Sequence, residues 1–172
     1  MKNTKQEKIK KNIKNIISIF EPNLKREGLV ETPKRYAKMI LELLAGYNQD
    51  TKKLYKTFLS NGNKNLITIS NIKFNSLCEH HLLPFFGSVE ISYIPKGKIL
   101  GLSKFGRIVD VYAKRLQIQE RLTEQIAKDI FRNLKPQYIS VEIKAKHLCV
   151  NIRGVKKDGC CCTTFFELGK KH

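Results

Sequence analysis

The hydrophobic period changes three times along this chain, and those changes limit the folds open to it. Over residues 5 to 20, Ile9, Ile13, Ile16, Ile17 and Phe20 recur at helical spacing. A loop is expected over 21 to 31. In "ETPKRYAKMILELLAGY", Thr32 suits a helix cap and Pro33 the first helical position. Tyr36, Met39, Ile40, Leu43 and Leu44 form the apolar face, and Gly46 is the expected stop. The period then shortens to two. "LITISNIKF" and "SVEISYI" alternate as strands, the latter through Val89, Ile91 and Tyr93. "SKFGRIVDVYAKRL" and "QERLTEQIAKDIFRNL" return to helix; the second repeats Leu122, Ile126, Ile130 and Leu134 and stops at Pro136. "QYISVEIKA" alternates again through Ile139, Val141 and Ile143, and "LCVNIRGV" with "CCCTTFFEL" supplies a last strand region. Helix, helix, two strands, two helices, two strands is the order of an α+β protein with antiparallel hairpins. It is not that of a parallel sheet with a nucleotide-binding glycine loop. Residues 1–50 read as an N-terminal helical arm and 51–172 as the main domain.

The connection between the first two strands carries "CEHH", Cys78 to His81. Cys78 and His81 are two residues apart, so one tight turn can aim a thiolate and an imidazole at a common ion. A second Cys/His cluster, His147 and Cys149 in "HLC", lies almost seventy positions later at the second hairpin. Read as strand, that segment turns His147 and Cys149 to one side. Two arrangements are open. All four residues close a structural zinc site, or three bind and one position stays free for water. In the second case a spare histidine beside the ion, such as His80, is a candidate acid or base.

The net charge is +18, and lysines are spread along the chain. This is compatible with solvated faces, with an anionic small substrate, or with nucleic acid. No basic block with interleaved aromatics marks a dedicated nucleic-acid binder. A four-ligand zinc module that binds RNA is the rival reading. No run approaches the roughly 18 apolar residues of a membrane span, and the basic N-terminus lacks the apolar core of a signal peptide. A cytoplasmic location is therefore expected, with no membrane partner. The five cysteines are odd in number and include three in a row, a poor disulfide framework. Cys160, Cys161 and Cys162 are expected to be small packing residues.

Several stretches together resemble the GTP cyclohydrolase I family: "CEHHLLPFFG", "YIPKGKILGLSKFGRIVDVYAKRLQIQERLTEQIA", "KHLCVNIRGV" and the shorter "ETPKRYAKM". The likeness runs from about residue 8 to residue 169. It implies an enzyme that converts GTP and water to 7,8-dihydroneopterin triphosphate and formate, the first step of pterin and tetrahydrofolate biosynthesis. It implies one catalytic zinc per subunit, held by Cys78, His81 and Cys149, with His80 and His147 as catalytic histidines. By the same likeness Gln119 and Glu120 are the guanine-recognition pair. Ser103, Lys104, Arg107 and Arg153 are triphosphate contacts, Ser103 also a catalytic helper, and Lys38 is a phosphate contact reaching across a subunit boundary. The implied fold is the tunnelling fold (T-fold): an antiparallel sheet with helices on one face, carried by residues 51–172. The subunit sheets join edge to edge into an oligomeric barrel, which removes exposed strand edges. The implied assembly is a homodecamer of two pentamers with active sites between subunits.

Overall fold

A computed structural model describes residues 2 to 171 of the chain. Two compact units are present, 1–45 and 46–172. The first holds α1 (Lys2–Phe20), α2 (Glu27–Val30) and α3 (Thr32–Leu43), with α1 packed along α3. Ala37, on α3, is fully buried. The expected loop over 21 to 31 thus contains a helical turn. Thr32 is inside α3 and is not its cap: its hydroxyl donates to the Gly28 carbonyl at 3.3 Å, and Glu31 before it is already helical. Pro33 stands in the first turn, where no helical N–H is needed.

Two 3-10 turns follow α3, over Ala45–Asn48 and Thr51–Leu54. Gly46 is not a helix stop. A Cβ there would lie 2.2 Å from the Val111 carbonyl oxygen, so only glycine allows this approach. The strands are β1 (Thr57–Leu59), β2 (Ile67–Cys78), β3 (Pro84–Ile94), β4 (Lys98–Leu100), β5 (Leu116–Gln117), β6 (Tyr138–His147) and β7 (Cys162–Gly169). The helices are α4 (Leu102–Ala113), α5 (Gln119–Leu134) and the single turn α6 (Leu148–Asn151).

β1 pairs with β4, and the main sheet runs β5-β2-β3-β6-β7. It is antiparallel except at one edge, where the two residues of β5 pair parallel to the end of β2. The wholly antiparallel expectation is corrected there: the chain leaves α4 running the same way as β2. A bulge between Ile69 and Ile72 puts Asn71 at φ +59°.

Alternation does the rest. Phe85, Val89, Ile91 and Tyr93 of β3 and Ile139, Val141, Ile143 and Ala145 of β6 are buried on one face. α4 and α5 cover that face with Phe105, Ile108, Val109, Leu122, Ile126 and Ile130. Each such side chain contributes roughly 1.5–3 kcal/mol on burial. The other face carries Thr68, Ser88, Glu90, Ser92, Ser140, Glu142 and Lys144. α5 spans the quoted run "QERLTEQIAKDIFRNL", and Lys135 at φ +54° turns the chain out before Pro136.

Candidate active site

β3 is the strand that makes a site possible. It pairs with β2 on one side and β6 on the other, so its first residues face both neighbours: Pro84 opposite Leu77, Phe85 opposite His147. The β2–β3 connection and the β6–α6 junction therefore meet at one end of the sheet.

The connection is a closed turn. The Cys78 N–H donates to Leu83 at 2.9 Å, Leu82 N–H donates back to Cys78 at 2.8 Å, and Leu82 takes φ +55°. Cys78 is buried, whereas His80 and His81 are exposed. The Cys78 and Cys149 sulfurs and a ring nitrogen of His81 all lie within 4.8 Å of one another. His80 Nδ1 is 3.7 Å from the Cys78 sulfur. An Arg153 guanidinium N–H donates to His81 Nε2 at 3.1 Å. The chain turns helical at Leu148, so His147 and Cys149 do not share a strand face as the alternation predicted. The one-turn helix swings Cys149 toward Cys78 and leaves His147 on the sheet.

This donor set suits a cation of zinc's kind, with two sulfurs and one imidazole converging. Burial, and then the neighbouring Cys78, push the Cys149 thiol above its ordinary range. Two adjacent thiols resist ionising together unless a cation stands between them.

His147 has its own setting. Its ring stacks on Phe85, centroids 4.6 Å apart and planes 3° apart. Its Nε2 is 2.8 Å from Gln119 Oε1. Burial lowers its pKa from the usual imidazole range, and nearby Glu120 works against that shift. Gln119 is 1% exposed, so its amide faces inward. It donates to the carbonyls of Ile143 and Cys162 at 2.9 and 3.0 Å and to Thr164 Oγ1 at 3.2 Å. Glu120, one position on, is exposed. Of the expected guanine pair, only Glu120 therefore presents its side chain outward.

Sequence reasoning missed the tie that holds the turn. Glu79 ion-pairs with Arg121 of α5, and its N–H donates to Gln117 at 3.0 Å. Arg121 also donates to Gln117 Oε1 at 3.0 Å and to the Leu116 carbonyl at 3.1 Å. The Arg121 guanidinium holds the Glu79 carboxyl below the usual carboxylate range. The signal was present, an acid inside "CEHH" and a base inside "QER", but nothing in one dimension joins them.

Ser103, Lys104 and Arg107 stand at the start of α4, Ser103 and Arg107 exposed. They stand away from the Cys/His cluster. Gly106 of α4 lies beside Ile72, and Ile72 precedes Cys78 by six strand residues, which is roughly 20 Å. Lys38 is exposed on α3 of the N-terminal unit. Cys160 and Cys161 are exposed, which corrects their reading as packing residues; Cys162 is half-buried and opens β7.

Residues 9–172 match the sequence family described as GTP cyclohydrolase I. The GTP cyclohydrolase 1 of Campylobacter lari is 47% identical over 153 residues, 88% of this chain and 80% of that protein. That of Bacillus subtilis is 42% identical over 160 residues, 92% of this chain and 84% of that protein. Among solved structures, the apo archaeosine synthase QueF-Like superposes with a TM-score of 0.52 at 21% identity, covering 62% of this chain and 96% of that one. This last likeness is one of fold. Among the described residues no helix is long and apolar enough to cross a membrane.

Proposed function

Since this chain belongs to the GTP cyclohydrolase I family and is an enzyme of that kind, we propose that it converts GTP and water to 7,8-dihydroneopterin triphosphate and formate, with one zinc ion per subunit on Cys78, His81 and Cys149. The convergence of those three donors within 4.8 Å carries this reading. Three protein ligands leave a position for water, the arrangement of a catalytic site. Zinc bound there supplies Lewis acidity and a water that ionises near neutral pH.

The chain's own residues supply the rest. Glu120 accepts hydrogen bonds from the guanine N–H edge, a match a carboxylate makes twice over. His80, beside the Cys78 sulfur, and His147, on its Phe85 shelf, move protons as the imidazole ring opens at C8 and formate leaves. Lys104 and Ser103, at a helix start where free N–H groups favour anions, hold the triphosphate with Arg107 and Arg153, and Lys38 reaches it across a subunit boundary. Ser103 assists the later ribose rearrangement and ring closure.

The separation of the α4 start from the Cys/His cluster, roughly 20 Å along β2, supports a site shared between two copies and a barrel of tunnelling-fold subunits stacked as a decamer. The fold likeness to a QueF-Like enzyme supports the same subunit architecture. The location is cytoplasmic, with neither nucleic acid nor membrane as partner. The rival four-ligand zinc module is less well supported, because His147 is not among the residues whose donor atoms converge with Cys78, His81 and Cys149.

The test is formate release and pterin fluorescence after oxidation, from purified protein with GTP. Both should appear, vanish with a chelator and return with zinc. Cys149→Ser should abolish them and lower the bound zinc. Zinc-loaded, assembled protein that releases no formate would overturn the reading.

A further inference from the structure

The hydrogen bonds around Gln119 have only one consistent direction. Its amide nitrogen faces the carbonyl oxygens of Ile143 and Cys162, which can only accept. The NH2 group must therefore point there, and the oxygen must point at His147. An amide oxygen can only accept, so the 2.8 Å contact requires a proton on His147 Nε2.

The neighbouring hydroxyls agree. Thr123 Oγ1 donates to the Gln119 main-chain carbonyl at 2.7 Å. Its proton thus spent, Thr123 Oγ1 accepts from Thr164 across 2.6 Å. That leaves a Thr164 lone pair for the Gln119 amide at 3.2 Å. Every donor in this chain of bonds has an acceptor, and no flip of the amide satisfies both carbonyls. The chain runs through buried and half-buried groups of α5, β6 and β7.

We propose that Gln119 is a positioning residue that holds the His147 ring in one orientation and in its Nε2–H tautomer, leaving Nδ1 as its lone-pair nitrogen. Phe85 fixes the plane of the ring and Gln119 its protonation pattern. The loss of turnover expected below rests on the GTP-converting reading above; the tautomer does not.

The first arm is spectroscopic. The chain has four histidines, so solid-state spectra of [15N]histidine-labelled, zinc-loaded full-length protein are simple to resolve. At mildly alkaline pH the His147 signal, assigned by its loss in His147→Asn, should show a pyrrole-type Nε2 and a pyridine-type Nδ1. A pyrrole-type Nδ1 in the wild type overturns the proposal, and this needs no Gln119 variant to fold. The second arm is Gln119→Leu. Its His147 should populate the other tautomer, with kcat down on the order of 100-fold and the GTP KM within about threefold. A large rise in KM at unchanged kcat would overturn the proposal and make Gln119 a base contact. Wild type that shows the Nε2–H signal but releases no formate would sink the enzymatic reading and spare the tautomer.

Discussion

Replacing Gly87 with alanine adds one methyl group at the point where β3 and β6 meet most closely. The new Cβ would sit 1.9 Å from the Lys144 carbonyl oxygen and 2.8 Å from the Ala145 Cα, both backbone atoms of the facing strand. A carbon needs about 3.3 Å from such an oxygen, so the strands must part by roughly 1.4 Å. No rotamer change can relieve this. The overpacking costs about 1–3 kcal/mol, and each ladder hydrogen bond stretched beside it about 1 kcal/mol more. A loss of about 3–5 kcal/mol follows, or a urea midpoint lower by roughly 2 M. Gly87 is two residues from Phe85, and the register Gly87–Ala145 continues directly to Phe85–His147. Parting the strands there also lifts His147 from its shelf and moves the β6–α6 junction away from Cys78. GTP turnover and bound zinc should fall together. Gly106→Ala is the control: in α4 its methyl meets only Ile72 Cγ2 at 4.0 Å, and helix propensity favours alanine by about 0.5–1 kcal/mol. Gly87→Ala protein with the wild-type midpoint and full turnover would refute this account of how the register builds the site.

Glu79→Gln and Arg121→Ala should each loosen the "CEHH" turn, speeding zinc loss to a chelator and lowering turnover. The double variant should be no worse than Arg121→Ala alone, because the two side chains act as one tie. Asp129→Ala should cost roughly 2–4 kcal/mol in urea unfolding. Its buried carboxylate accepts from Thr51, Tyr55 and Asn133 at 2.9, 2.7 and 2.9 Å, and all three would lose that partner. Stability should decline above about pH 10, the ordinary tyrosine range. Burial raises Tyr55, Tyr93 and Tyr112, with Asp129 adding to the rise at Tyr55 and Tyr112. The unfolded chain therefore loses those protons first, and each tyrosine removes up to ~1.4 kcal/mol per pH unit. A flat unfolding free energy from neutral pH into that range would contradict the prediction.

How much of this was legible in one dimension depends on the range of the interaction. α5 begins and ends where its quoted run does, because a four-residue repeat of Leu122, Ile126, Ile130 and Leu134 is a local fact about one helix face. β2, β3 and β6 were read where they alternate against the covered face, but not to their site ends: β2 runs on four residues past its quoted run to Cys78, and β3 begins four residues before its own at Pro84. The order of elements, and with it an α+β fold, follows from that periodicity alone. The pairing of "CEHH" with "HLC" as one candidate site was also visible, through residue types and the place of each beside a hairpin.

Tertiary structure decided what depends on contacts distant in sequence. β5 is two residues long and exists only because the end of β2 offers it hydrogen bonds. The turn that frees Cys149 from the strand follows where β6 stops, and Gly46 is required by a carbonyl sixty-five positions away. The Glu79–Arg121 tie and the inward amide of Gln119 come from the same source. A side chain's identity shows what it can bond to; which partner it meets, and from which atom, is set by the packing of strands and helices that bring remote residues within hydrogen-bond reach.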